Sequence, residues 1–362
     1  MIKPLPKPGI LNIKPYVGGL HELNGPQQVI VLASNEAPFG PSPLAVQAYE
    51  MASKRLHLYP DGSSTELRLA ISERFGLDPD LIVCGAGSDE IISLLVSAYA
   101  GVGDEVLHTE HGFLMYPINA RSVGATPIAA QETHLRADIE KLINCLTERT
   151  KMVFLANPNN PTGSYIKIDE LKKLHSALPS DVMLVIDAAY AEYVSQNDYI
   201  DGAELVEKNQ NIVMTRTYSK AFGLAALRLG WAYCPPHVAD VLNRVRNPFN
   251  VTAPSQAAGI AAVGDLEHTD ATIAHNNKLR PKFSSYIESL GLEVVPSVGN
   301  FVLVRFGRAE HAQSAYDHLL NKGIITRMMS GYGLPDSLRI TIGLEPELMA
   351  VVDALSQHQK LL

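Results

Sequence analysis

Cysteine is scarce and scattered. The 362-residue chain has three, Cys84, Cys145 and Cys234, with no CxxC pair. An odd, widely spaced set excludes a disulfide scaffold and a cysteine-rich zinc site, and it suits a reducing cytoplasm. Excess basic charge is missing too: 30 Lys and Arg against 38 Asp and Glu leave a net charge of −8. That balance argues against a nucleic-acid binder, which carries a basic footprint, and against a polybasic membrane anchor. No stretch reaches the roughly 18 consecutive apolar residues of a membrane span. The opening MIKPLPKPGI has no apolar run, so no secretory leader is expected. Repeats and low-complexity tracts are absent, which excludes solenoids and propellers. What remains is a globular composition, 46% hydrophobic and 19% charged, apolar enough to bury a sizeable core.

Residues 1–43 are rich in proline, which fixes φ and removes donors, so an extended N-terminal arm is expected there. Residues 44–248 read as one large domain, in which short apolar runs alternate with helical stretches from about residue 64. Strands are expected at Leu81–Cys84, Glu105–Thr109, Met152–Ala156, Met183–Ile186, Ile212–Thr215 and Trp231–Cys234. Helices are expected at Thr65–Phe75, Ser88–Ala100, 138–146 and 168–178. This alternation predicts an α/β fold, a large domain with a mostly parallel sheet covered by helices. After Pro248 the texture changes. A helix-rich stretch, 255–290, precedes strands at Leu292–Val295, Phe301–Arg305, Ile324–Arg327 and Leu338–Ile342 and helices near 309–321 and 345–358. Residues 249–362 therefore read as a smaller α+β domain.

Four segments carry chemistry, each after an expected strand. In Thr217-Tyr218-Ser219-Lys220, with Arg228 eight residues on, a semi-buried lysine becomes a nucleophile for carbonyls, and the guanidinium suits a phosphate. Asp187-Ala188-Ala189-Tyr190 puts a carboxylate at a strand's C-terminal end, where α/β sheets bind ligands. Asn157-Pro158-Asn159-Asn160-Pro161-Thr162-Gly163 forces a tight turn that can present an amide. Gly85-Ala86-Gly87-Ser88-Asp89-Glu90 offers a helix N-terminus to an anion but lacks the glycines and lysine of nucleotide motifs. Taken singly, the plainer readings are a surface lysine, a capping aspartate, a turn and a capped helix. His108 and His111 read as loop histidines, since no carboxylate completes a metal site.

Together the four supply a phosphate nest, a hydroxyl contact, an acid for a ring nitrogen and an amine for an aldehyde. In order and spacing they resemble the fold-type-I, pyridoxal-phosphate-dependent aminotransferases, from Tyr16 to about Gly343. Within that superfamily the chain resembles the histidinol-phosphate aminotransferases. The segments that carry this are Ser34–Pro43, Tyr59-Pro60-Asp61-Gly62, Gly87–Glu90, Asn157–Gly163, Ser219–Gly223, Asn300–Val304 and Leu338–Gly343. Ala37 and Ala86 depart from the family pattern, each standing where Asn is usual.

The resemblance implies the following roles. Lys220 is the catalytic amine. Asp187 pairs with the ring nitrogen of pyridoxal 5'-phosphate, Tyr190 and Asn160 bond its phenolic oxygen, and Phe113 stacks on its face. Thr217, Ser219, Arg228 and the Gly87, Ser88 and Asp89 backbone hold its phosphate. Tyr59 reaches the phosphate across a subunit boundary, which makes the enzyme a homodimer with shared sites. Tyr16, Asn35, Arg327 and Arg339 take the substrate, and no metal is involved. The implied reaction exchanges an amino group between histidinol phosphate and 2-oxoglutarate in cytoplasmic histidine biosynthesis. Rivals are an aromatic amino-acid aminotransferase for phenylalanine or tyrosine, a lyase or decarboxylase on the same scaffold, and a cofactor-bound regulatory domain. The last would need an attached DNA-binding module.

Overall fold

Burial on both faces is what turns the short apolar runs into interior strands. Every residue of Ile82–Gly85, Glu105–Thr109, Met183–Asp187, Ile212–Thr217 and Gly230–Tyr233 is buried in the computed structural model, which describes residues 4–16, 18–22 and 29–360. With Thr150–Ala156 and Thr126–Ala130 they make a seven-stranded sheet. Its order is Ile82–Gly85, Gly230–Tyr233, Ile212–Thr217, Met183–Asp187, Thr150–Ala156, Glu105–Thr109, Thr126–Ala130. Only Gly230–Tyr233 runs against its neighbours; the pairings from Ile212–Thr217 onward are parallel. The expected α/β architecture, a mostly parallel sheet between helices, is what the chain adopts.

The register brings the chemistry-bearing segments to one end of this sheet. Ala156 pairs with Asp187, Asp187 with Thr215, and Gly230 with both Thr217 and Gly85. The loops after Gly85, Ala156, Asp187 and Thr217 thus emerge side by side at the strands' carboxyl ends, where open α/β sheets bind ligands. Gly230 is required for this. A Cβ there would lie 2.3 Å from the Ser88 nitrogen, so only glycine lets the helix Ser88–Tyr99 start so close to the sheet.

A second, four-stranded antiparallel sheet orders Glu293–Val295, Phe301–Arg305, Leu334–Thr341 and Arg327–Met329. Helices Leu266–Ser289, Ala309–Asn321 and Glu345–Gln359 pack on it around Phe283, Val302, Leu319, Ile340 and Val351. The strand expected at Ile324–Arg327 divides at Thr326. Ile324–Ile325 pairs in parallel with Ile30–Val31 of the arm, and Arg327 enters the four-stranded sheet. Besides Ile30–Val31, the described arm holds one 3-10 turn, Ile10–Asn12. The helix Ala253–Gly264, which follows the change of texture at 248, buries Ala258, Ala262 and Val263 in the core of the seven-stranded sheet, against helices Pro43–Ser53 and Thr65–Phe75.

The three cysteines are unbridged. Burial pushes the Cys84 and Cys234 thiols up to about 12, which leaves them inert at neutral pH. Among the described residues no helix is long and apolar enough to cross a membrane, and no three His, Cys, Asp or Glu side chains group as a metal site.

Candidate functional site

A cavity of about 210 Å³ opens between the two sheets. Its lining gathers Tyr16, Asn35, Ser88, Asp89, Phe113, Asn160, Asp187, Tyr190, Thr217, Ser219, Lys220, Arg228, Arg327 and Arg339 from both sheets, the arm and the loops. Three of these side chains are arginines and two are carboxylates, with Lys220 besides, so the wall favours anions.

Lys220 is half-buried, and its Nζ donates to the Ser34 carbonyl oxygen at 2.8 Å. Burial, with the Arg339 guanidinium next in weight, brings its amine down to about 7. At neutral pH a large share of Lys220 is therefore the free amine, which is the nucleophilic form.

Asp187 ends its strand and is 5% exposed. Burial holds its carboxyl up at about 6, opposed first by the Tyr116 hydroxyl, which donates to Oδ2 at 2.7 Å. Tyr190 follows in the tight turn. Its phenol accepts from Asn35 Nδ2 at 2.8 Å, and burial raises it to about 12. Asn35 sits in the left-handed region at φ 55° and is tied to the second sheet by its own N–H on Thr341 Oγ1 at 2.9 Å and by Asn300 Nδ2 on its carbonyl at 3.0 Å.

At the other end, Arg228 projects from a left-handed backbone, φ 49°. Its Nη1 donates to Ser219 Oγ at 3.3 Å and to the Ala225 carbonyl at 3.0 Å, and its Nη2 to Asp89 at 3.0 Å. Gly87 has φ 84°, and a Cβ there would stand 2.6 Å from Arg228 Nη2. Ser88 and Asp89 in the first turn of Ser88–Tyr99, with Thr217, Ser219 and Arg228, thus line one cavity as a donor-rich cradle, and a side chain at 87 would displace Arg228 from it.

The second sheet supplies the opposite wall. Arg339 is 6% exposed; Nη1 donates to Asn160 Oδ1 and Nη2 to the Ala33 carbonyl at 2.6 Å, while Nε has no partner among the described residues. Burial lowers its affinity for its proton. Arg327 lies directly across the strand pair from Arg339, and its guanidinium covers the Tyr16 ring at 5.7 Å.

Two expected site residues do not line this cavity. Gly87 caps the helix just behind it. Tyr59 is 82% exposed and stacks on Phe249 at 4.6 Å. Three positions that sequence reasoning missed now stand out. Tyr116 bonds Asp187, and Ser34 and Ala33 anchor Lys220 and Arg339. Tyr116 had a faint signal, its place three residues after Phe113. The two carbonyl anchors had none, because every residue has a carbonyl.

The family model described as aminotransferase class I and II matches residues 27–355. The chain belongs to that family. This aminotransferase is 55% identical over 361 residues to the histidinol-phosphate aminotransferase of Rhodospirillum centenum, covering 99% of this chain and 100% of that one. It is 53% identical to the histidinol-phosphate aminotransferase of Paramagnetospirillum magneticum, covering 99% of each. Among solved structures it is similar to the histidinol-phosphate aminotransferase of Sinorhizobium meliloti in complex with pyridoxal-5'-phosphate, with TM-score 0.88, 28% identity and 93% of each chain covered. The residues of this aminotransferase fit such a group. The cradle at Arg228, backed by Gly87, has the donors of a phosphate site, Asp187 is a buried carboxylate apt for a protonated ring nitrogen, and Lys220 offers a free amine to an aldehyde.

Proposed function

We propose that this aminotransferase uses pyridoxal 5'-phosphate to exchange an amino group between histidinol phosphate and 2-oxoglutarate, giving imidazole acetol phosphate and glutamate for histidine biosynthesis. The observation that carries the substrate reading is the cross-strand pair Arg327 and Arg339 in the cavity wall. Like charges directly opposite each other are destabilising in a sheet, and an anion between them removes the penalty. Fork geometry suits both a phosphate and an α-carboxylate. Histidinol phosphate brings the first anion, glutamate and 2-oxoglutarate the second.

The cofactor, when bound, supplies an aldehyde that captures the amine and a ring that delocalises the electron pair left at the substrate carbon. Arg228, Ser219, Thr217 and the backbone at Gly87–Asp89 hold its phosphate. Asp187 keeps the ring nitrogen protonated by pairing with it. Tyr190 and Asn160 bond the phenolic oxygen, and Phe113 covers the ring. Lys220 removes the proton from the amine-bearing carbon and returns it on the cofactor side, a task suited to an amine near neutrality. Arg339, Arg327, Tyr16 and Asn35 orient the substrate.

The working unit of this reading is a homodimer with shared sites. Tyr59 lies outside its own chain's cavity, stacked on Phe249, and Tyr49, Met51, Leu56 and Leu58 just before it in the chain are exposed as well, an apolar band in sequence. A second copy would cover that band and receive Tyr59 at its phosphate cradle. We also read the chain as an arm, a large cofactor domain extended through Gly264, and a small domain, and we place the enzyme in the cytoplasm, where unbridged cysteines persist. The test is direct. Purified enzyme given histidinol phosphate and 2-oxoglutarate forms glutamate in step with imidazole acetol phosphate. Turnover of phenylalanine or tyrosine with none of histidinol phosphate would install the aromatic rival instead.

A further inference from the structure

Among the buried polar groups with no part in the reaction above is the phenol of Tyr116. It stands in the first turn of the helix Met115–Ser122 and is fully buried. Its ring stacks on Phe154 with centroids 4.6 Å apart and planes within 7°, and it meets the edge of Phe113 at 5.8 Å and 87°. Held on two sides, the ring has one way to point its hydroxyl, at Oδ2 of Asp187, 2.7 Å away. The other carboxylate oxygen receives a longer bond from the Ala189 N–H, at 3.3 Å.

We propose that Tyr116 is a positioning residue for the transamination: its clamped hydroxyl fixes the rotation of the Asp187 carboxylate and keeps that carboxylate a weak base, so that the shared proton stays on the cofactor's ring nitrogen. The inference rests on reading Asp187 as the partner of that nitrogen. A buried carboxylate without a donor would be a stronger base and would draw the proton to itself, leaving the ring a poorer electron sink. Burial pushes Asp187 up to about 6 and Asp89 adds to the rise; the Tyr116 bond is the strongest force in the other direction. The titratable groups facing Asp187 are Tyr116, Asp89, Tyr190 and Tyr199, and of these four only Tyr116 hydrogen-bonds it. Burial also raises the Tyr116 phenol well above its ordinary range, so it remains a donor at any working pH.

The test uses the full-length enzyme loaded with cofactor labelled with ¹⁵N in the ring. Tyr116→Phe keeps the stacked ring and deletes the hydroxyl. The expected result is a ring-nitrogen signal displaced toward unprotonated pyridine and a kcat lower by roughly ten- to hundredfold, the worth of one hydrogen bond to a charged group, with KM for the amine unchanged. A role confined to packing would leave the signal in place, and that result would overturn the proposal. Asp187→Asn separates the two layers. If it moves signal and kcat while Tyr116→Phe moves neither, Tyr116 alone is misassigned; if it too leaves both at wild-type values, the reading of Asp187 fails and the proposal with it. Should Tyr116→Phe misfold, Tyr116→3-fluorotyrosine preserves the shape with a more acidic, stronger donor. The ¹³C carboxyl titration of Asp187 in the apoenzyme is then expected at lower pH than in wild type, and an unmoved titration would overturn the proposal.

Discussion

Arg327 and Arg339 face each other as direct partners on neighbouring antiparallel strands, and both reach the cavity between the sheets. The Arg327 guanidinium raises the cost of keeping Arg339 charged, and Arg339 sits where burial already works against its charge. Like charges directly opposite each other destabilise a sheet, and an anion bound between them offsets that cost. In the proposed reaction the pair is a prebuilt anion clamp.

Lys220→Ala should abolish transamination while the fold persists. Losing the proton transfer alone costs about 10²–10⁴-fold, and no other described amine lines the cavity. Borohydride reduction of the wild-type holoenzyme should fix the cofactor on the peptide containing Lys220, and label recovered on another lysine would contradict the assignment. The depressed amine also has a pH signature. In the folded apoenzyme Lys220 loses its proton near 7, whereas in the unfolded chain it does so near 10.5. Between those values the unfolded state binds the extra proton, so this group adds stability as pH rises through the window. Pyridoxal phosphate capture by apoenzyme should accelerate with an inflection near pH 7.

Asp187→Asn should retain the cofactor through the Arg228 cradle and lose roughly 10²–10³-fold in kcat, the scale of removing one preorganised electrostatic contact. Stopped-flow half-reactions with each amine separate this from weak binding. A kcat near wild type would remove Asp187 from its role.

Gly87→Ala should weaken cofactor binding more than turnover. The new Cβ meets Arg228 Nη2 at 2.6 Å, and φ 84° is unfavourable for alanine. With Arg228 displaced, cofactor Kd should rise about tenfold or more, the loss of a charge-assisted bond. Equilibrium titration of apoenzyme measures this; an unchanged Kd would mean that the cradle does not hold the phosphate.

Much of the large sheet and its loops was legible because buried strands are apolar runs bounded by turn residues, and because Ser219–Lys220, Asp187–Tyr190 and Asn157–Gly163 follow them at once. The helix Pro43–Ser53 was hidden behind the proline-rich arm, although Ser42 caps it through Leu44 N at 3.1 Å and Pro43 opens it. Helix Pro236–Val245 and strand Thr126–Ala130 also escaped notice. The break at Thr326 depends on which strands lie alongside, and a linear pattern does not reveal that. The same holds for the Tyr116–Asp187 bond, made between residues 71 apart in sequence.

Tyr59 should serve the cofactor of the other subunit. Mixing Lys220→Ala chains with a severely impaired Tyr59 variant, under conditions where subunit exchange is demonstrated, should create hybrid dimers with one intact site and restore part of the activity. Exchange without recovery would refute the shared site.

The most direct measurement compares kcat/KM for histidinol phosphate, phenylalanine and glutamate in wild type, Arg327→Ala and Arg339→Ala. Each charge-assisted hydrogen bond is worth about 1.5–3 kcal/mol, or roughly 10- to 150-fold. The account predicts a loss in that range for histidinol phosphate in Arg327→Ala with phenylalanine spared, and losses for all three amines in Arg339→Ala. Equal losses for histidinol phosphate and phenylalanine in Arg327→Ala would contradict the phosphate clamp and make the aromatic aminotransferase the better description.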